Sequence, residues 1–343
     1  MRTVFTALVL LLTIAPGAHA EDRRPDPTRL TLLNYNAQFL WDGIAPEDGS
    51  ENVTFPWRGN PKLADAHMAQ VAKVIRQHDP DIINLDEVEG LAALKHFNQR
   101  HLTDLGYKAY LVKGRDTYTG QDVGLLTRID PDEKLWREDR QGVSGPVRKS
   151  ASKNYTAKFT IHGERIALIG VHFLSRPTDA RRRHDRQAQA DAILTRAKEL
   201  DAEGFHVIIA GDINDYDGSK EASDHQSNQP ITNVVAHLRG MDPDDPDDDL
   251  VNAAQFVPKK QRFTCHWDKN NNGRIDNRGE LTSIDHVLLA PELAARVEKV
   301  TIPNQYNPAG ISDHYPVVVT FRTPAPRQTR GVRRAPTRAR EGG

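Results

Sequence analysis

Apolar residues recur along the chain in short runs, separated by longer stretches with helical spacing. The run Leu30-Thr31-Leu32-Leu33-Asn34-Tyr35-Asn36 predicts a first strand. From Pro61 to His78, the apolar residues Leu63, Ala66, Val71, Val74 and Ile75 recur at helical spacing. Pro61 suits the first turn of that helix and Pro80 cannot continue it. Ile82-Ile83-Asn84-Leu85 fits a buried strand, and Ala92 to Leu102 a second helix. Further strands are predicted at Val123 to Leu126, Tyr155 to Ile161 and Arg165 to Phe173, with His162-Gly163-Glu164 as a hairpin turn. A charged helix from Ala180 to Leu200 leads into the strand Val207-Ile208-Ile209-Ala210. Phe263-Thr264-Cys265, Ile284 to Leu289, Val297 to Ile302 and Val317 to Phe321 also read as strands. Strands outnumber helices and helices recur between them. The pattern predicts an α/β sandwich of two sheets with helices outside.

The two ends are different in kind. Arg2, an apolar run from Val4 to Ile14 and the small-x-small ending Ala18-His19-Ala20 have the three parts of a secretory signal peptide over residues 1–20. That run is too short for a permanent anchor, so the mature chain is expected to begin near Glu21, with no stable membrane anchor, and to be secreted or periplasmic. Residues 21–28 read as a polar linker. Residues 323–343 are rich in Arg, Pro and Thr and are expected as a disordered basic tail, either a solvated end or a phosphate-binding arm. The acidic, proline-broken stretch Met241 to Asp249 reads as a solvated loop. Cys265 is the sole cysteine, so no internal disulfide can form; a buried structural role is its expected one. With 343 residues and a formal net charge of −1, the chain's global charge neither favours nor excludes a nucleic-acid partner. Any such partner must be held locally.

Chemistry gathers where the strands stop. The first ends in Asn36 and the next in Leu85-Asp86-Glu87-Val88-Glu89. Others carry Gly170-Val171-His172-Phe173, Ala210-Gly211-Asp212-Ile213-Asn214-Asp215, Ser283-Ile284-Asp285-His286 and Ile311-Ser312-Asp313-His314-Tyr315-Pro316. A carboxylate in an apolar strand is costly to bury without a partner or a metal. Half a dozen of them, together with histidines, point to one polar site, and oxygen donors of this kind suit a hard cation such as Mg²⁺.

In that order, Asn36, the stretch from Pro80-Asp81-Ile82 to Glu87, Gly211-Asp212-x-Asn214 and Ser312-Asp313-His314-x-Pro316 resemble the endonuclease/exonuclease/phosphatase superfamily. The resemblance covers residues 29–322. It implies a four-layered sandwich of two mostly antiparallel β-sheets flanked by helices, and a metal-dependent hydrolase acting on phosphoester bonds. It further implies Glu87 as principal ligand of Mg²⁺ (or Mn²⁺), with Asn36 and Asp313 near the metal. Asp212 would orient or deprotonate the attacking water and Asn214 would hold a phosphate oxygen. His314 would act on the phosphate or the water, with Asp285 orienting its imidazole. His172 matches the second histidine of the deoxyribonuclease branch. The resemblance does not decide whether Asp212 or His314 is the base. Two departures stand out: Asp86 occupies a position where many relatives carry Gln, and no acid is evident to support His172.

The bland readings are that Asn36 and Asn214 cap turns, that Asp285 pairs with an arginine, and that His184, His206 and His286 are structural. Glu89 and Asp215 read as surface or supporting residues. A second ion site is expected or not according to one loop. Asp268, Asn270, Asn272, Gly273 and Asp276 have the spacing of an EF-hand-like Ca²⁺ loop, yet the twelfth position is Gly279 and the acid arrives at Glu280. The alternative is an Asn-rich turn. The expected function is an exported, monomeric nuclease with a nucleic-acid substrate, contacted through Arg148, Lys149, Lys153, Arg176 and Arg181-Arg182-Arg183. Its rivals are a phosphatase or phospholipase of the same superfamily, acting on inositol phosphate or sphingomyelin-type substrates, and a non-catalytic Ca²⁺-binding scaffold. A phospholipase would expose an apolar loop, for which Phe39-Leu40-Trp41 and Phe55-Pro56-Trp57 are the candidates.

Overall fold

The computed structural model describes residues 20–44, 59–308 and 310–324. All of the expected signal peptide but Ala20 lies outside these residues, as do Phe55-Pro56-Trp57 and nearly all of the expected basic tail. In chain order the first strands are β1 (Arg29–Leu40), β2 (Ile82–Val88), β3 (Lys108–Leu111), β4 (Asp122–Thr127), β5 (Gly142–Ser144), β6 (Val147–Lys149) and β7 (Asn154–Ile161). They are followed by β8 (Glu164–His172), β9 (His206–Asp212), β10 (Val251–Asn252), β11 (Cys265–His266), β12 (Leu281–Thr282), β13 (Asp285–Leu289), β14 (Val297–Thr301) and β15 (Val317–Arg322). The helices are α1 (Pro61–His78), α2 (Leu91–His101), α3 (Arg183–Ala202) and the short α4 (Val234–Arg239) and α5 (Pro291–Ala294).

Two sheets carry the fold. One has the order β14-β15-β1-β2-β4-β3 and the other β10-β13-β9-β8-β7. Only β1–β2 and β8–β9 pair in parallel within them; the rest is antiparallel. Strand alternation explains the layers. Leu30, Leu32, Ile82, Leu125, Val317, Val319 and Phe321 join the core between the sheets. Their neighbours Leu33, Ile83, Leu126 and Val318 turn the other way, onto Met68, Val71, Ile75, Leu94 and Phe97 of α1 and α2. On the far side, Ala190, Ile193, Ala197 and Leu200 of α3 cover the second sheet. The result is the four-layered sandwich.

Local signals account for the element ends. The Asn60 side chain accepts from the Leu63 amide and Pro61 opens α1. Its buried face runs through Ala64, Met68, Val71 and Ile75, whereas Leu63 and Ala66, expected to face inward, are exposed. His162 and Gly163, at φ of 52° and 90°, form the two-residue turn joining β7 to β8. Of Phe263-Thr264-Cys265, only Cys265 enters a strand, in the two-stranded β11–β12 ribbon. Residues 21–28 lie docked on the domain: the Arg24 side chain is fully buried against Asp22, and Arg23 pairs with Asp130. Among the described residues, no helix is long and apolar enough to cross a membrane.

Topology sets the location of the chemistry. The parallel pairs bring the C-terminal ends of β1, β2, β8 and β9 to one end of the sandwich. Antiparallel β13 and β15 begin there. Register makes the convergence specific: His172 and Asp285 are both direct partners of Asp212.

Candidate active site

Asp212 is the hub. It ends β9 and is 3 % exposed. Its Oδ1 accepts the Asn214 amide at 3.0 Å and its Oδ2 the Asn36 side-chain amide at 3.1 Å. Two imidazoles flank it, with His172 Nε2 at 3.7 Å and His314 Nε2 at 3.9 Å from Oδ2. The preceding Gly211 has a physical reason, because a Cβ there would overlap the Val171 carbonyl of the neighbouring strand.

The two histidines are held differently. His314 Nδ1 lies 2.8 Å from Asp285 Oδ2, and the Thr264 hydroxyl donates to that same oxygen at 2.7 Å. Burial works against the charged imidazole, but the Asp285 carboxylate prevails and holds the His314 pKa well above its ordinary value. Asp285 thus pairs with an imidazole rather than an arginine. His172 Nδ1 has no partner and is buried. Burial, with the charges of Lys153 and His314, pushes the His172 pKa well below the usual range. Among the described residues, no acid bonds its Nδ1.

Glu87 reaches the site through a distortion. Along β2 the outward Leu85 and inward Asp86 alternate, so Glu87 should point toward the helices. Instead the pairing with β4 slips between Asp86 and Val88, and Glu87 takes a φ of 62°. This bulge turns its carboxylate into the cavity. The Phe39 amide donates to its Oε2 at 3.1 Å and the Asn36 side chain to its Oε1 at 3.3 Å. Gln38, Phe39 and Asn214 also have positive φ. Such backbone is unfavourable for residues with side chains and gathers where a site dictates geometry.

The donors fit a hard divalent cation. Loss of water raises the Glu87 pKa, and the nearby Asp313 charge raises it further. Two carboxylates that repel one another across a cavity offer hard oxygen ligands for such an ion, with the Asn36 side chain beside them. Asp212, Asp285 and His314 also come within 4.8 Å of one another, close enough to hold a metal ion. Asp285 and His314 are bonded to each other, whereas the carboxylates of Glu87 and Asp313 both face the cavity. Asp86, the departure noted in the sequence, sits fully buried beneath and accepts the Asp212 amide at 2.7 Å. It positions the hub.

Glu87, His172, Asp212, Asn214, Asp313 and His314 line a cavity of about 800 Å³, which also includes Arg176, Tyr216, Cys265, Trp267, Lys269 and Ile284. Asn36 Oδ1 accepts the Gln38 amide and Asn214 Nδ2 donates to the Phe173 carbonyl, so both asparagines also cap turns. Asp215 is fully buried rather than at the surface, and receives Thr232 and the first amide of α4. His286 bonds Asn252 and the Asp215 carbonyl as a structural residue. Of the expected phosphate contacts, Arg176 lines the cavity. Lys149 is paired with Asp185, Arg181 and Arg182 with Asp179, and Lys153 is buried near Asp116. The expected Ca²⁺ ligands form a self-bonded loop: Asp268 accepts the Asn272 and Gly273 amides, and the side chains of Asn270 and Asn272 both donate to Asp276. Phe39-Leu40-Trp41 is no membrane loop, since Leu40 and Trp41 are buried.

The sequence reading missed Arg186, Trp267 and Lys269. Arg186 is fully buried in α3 and donates to the carbonyls of Leu174, Ser175, Arg176 and Pro177, fixing the loop that carries Arg176. A charged helix gives no hint of such burial.

The family model described as Endonuclease/Exonuclease/phosphatase family matches residues 33–314. The chain belongs to this family. Its members are metal-dependent phosphoester hydrolases. Among curated proteins, no sequence matches the chain significantly. Solved structures of similar fold include an AP endonuclease from Archaeoglobus fulgidus, at 15% identity and TM-score 0.57 over 85% of this chain and 99% of that one. The Neisseria 3' phosphatase NExo, solved with product DNA hairpin, has 16% identity and TM-score 0.55 over 85% and 99%. D. rerio TDP2, complexed with single strand DNA product, has 18% identity and TM-score 0.51 over 86% and 100%. At these identities the likeness shows the fold.

Proposed function

We propose that the chain is an exported nuclease that hydrolyses nucleic-acid phosphodiester bonds with Mg²⁺ (or Mn²⁺). The observation that carries this reading is one carboxylate, Asp212, set between two imidazoles, with the oxygen donors Glu87 and Asp313 on the same cavity floor and the Asn36 side chain bonded to both Glu87 and Asp212. NExo and TDP2, which share the fold, were solved with DNA products. Support for export comes from the sequence of residues 1–20 alone.

Glu87, Asn36 and Asp313 would hold the cation. When bound there, it neutralises phosphoryl oxygens and makes water more acidic. His314 is fixed in one tautomer by Asp285, whose carboxylate holds the imidazole pKa well above its ordinary value. It faces the phosphate and stabilises the charge that develops on its oxygens. Burial, and then the Asp285 charge, raise the Asp212 pKa to about 8, which makes this carboxylate basic enough to take the proton of the attacking water. Asn214 can donate its second amide hydrogen to a phosphate oxygen. His172, neutral and buried on the other side of Asp212, donates a hydrogen bond toward the departing oxygen.

Degradation of plasmid DNA by the full chain tests the reading. Chelator should stop the cutting, and Mg²⁺ or Mn²⁺ should restore it. Well-folded protein that cuts neither DNA nor RNA with either metal would contradict it.

A further inference from the structure

Trp267 stands two residues beyond Cys265 along the ribbon strand. Residues i and i+2 share a face, and both line the active-site cavity. Cys265 bridges directly to His314, and the His266 amide donates to the Asp313 carbonyl at 2.7 Å. The Trp267 amide donates to the Glu280 carbonyl at 2.7 Å, extending the ribbon. The indole is therefore tied to the catalytic segment, about 7 Å further out along the strand.

Its environment is unusual for a tryptophan. Trp41 is buried, and Trp136 is covered by the Arg196 guanidinium. Trp267 is 62 % exposed and has no aromatic or cation–π partner among the described residues. Packing does not explain it. Behind it, Tyr216, Cys265 and Ile284 make a small apolar cluster separate from the main core, and all three line the same cavity. Arg176 and Lys269, also lining it, are exposed and have no ion-pair partner among the described residues. An uncovered indole, an apolar wall and two unpaired cations above a hydrolytic floor match one chemical object: a flat base joined to a phosphate.

We propose that Trp267 is a stacking platform for an unpaired nucleobase, so that single-stranded nucleic acid is the preferred substrate. The inference rests on the nuclease reading above and deepens it. In a duplex both faces of a base are already stacked, and its face is out of reach of the indole. A cavity of about 800 Å³ has room for one extruded nucleotide, and aromatic stacking accepts any base. Arg176 and Lys269 then hold the flanking phosphates.

The test uses the full chain with Mg²⁺ and three substrates of one sequence: a single strand, the same strand annealed to its complement, and a single strand with its bases removed. The single strand is expected to be cut in preference to the duplex. Trp267→Ala should raise KM on it about tenfold with kcat nearly unchanged, and Trp267→Phe should restore most of the loss. On the base-free strand, wild type and Trp267→Ala should be equal. Equal KM for the two proteins on the single strand overturns the proposal, as does an equal loss on the base-free strand. Failure of the wild type to cut any strand overturns the nuclease reading and this one with it.

Discussion

At the floor of the cavity Asp212 is 3 % exposed and both its oxygens accept hydrogen bonds from protein, whereas at the rim Trp267 is 62 % exposed and covers nothing. The floor is hydrogen-bonded before substrate arrives. Its carboxylates lie at strand ends, where register dictates their neighbours and where the cost of desolvation is offset by amides and imidazoles. The rim leaves apolar area and two cations without an ion-pair partner among the described residues. Preorganised groups at the floor act on the transition state and should appear in kcat. Groups at the rim bind ground and transition states alike and should appear in KM.

Substitutions can break or sharpen that division. The largest effect is expected at His314: His314→Ala should lower kcat about a thousandfold with little change in KM. Its support should follow, with Asp285→Asn lowering kcat about a hundredfold. Asp285 raises the His314 pKa; if the cationic imidazole acts on the phosphate as proposed, the high-pH limb of the kcat profile should move to lower pH in Asp285→Asn. Glu87→Gln removes a charge from the proposed cation site. It should raise the Mg²⁺ concentration for half-maximal activity by about a hundredfold, measured by metal titration.

The floor's backing is testable through stability. His67 of α1 is buried, bonded to the Ala37 carbonyl at 2.9 Å, and burial lowers its pKa to about 4 from 6.5. The unfolded chain therefore takes up a proton that the folded chain refuses. The contribution is complete above pH 6.5 and is lost as pH falls toward 4. Urea unfolding should show about 2 kcal/mol less stability at pH 5 than at pH 7.5 from this group, and His67→Gln should remove that part of the slope. The smallest effect belongs to the rim, the roughly tenfold KM change of Trp267→Ala. A comparable fall in its kcat would erase the distinction between the two regions.

This contrast also explains what could be read from the sequence. The layers were legible because strands such as Val207 to Ala210 and Val317 to Phe321 are apolar and short. The floor was legible because acids and histidines interrupt those strands at their ends, in a fixed order. The turn of Glu87 was not, since a bulge leaves no mark in composition. Arg186 was hidden because a buried arginine within a charged helix looks like its solvated neighbours. Residues 21–28 read as a linker because their polar groups find partners, such as Asp130, more than a hundred positions away. Leu63 illustrates the opposite error, an apolar residue at helical spacing that faces outward. Trp267 lay beside a loop whose spacing drew attention to ions, while its exposure is a property of the fold alone.

The proposed nuclease function centres on Asp212, set between two imidazoles. The most direct measurement compares wild type with Asp212→Ala in Mg²⁺ on a single-stranded oligonucleotide, with folding checked by thermal unfolding. The account predicts chelator-sensitive cutting by the wild type and a loss of a thousandfold or so in the folded variant. Cutting that survives the substitution, or that ignores the chelator, would contradict it.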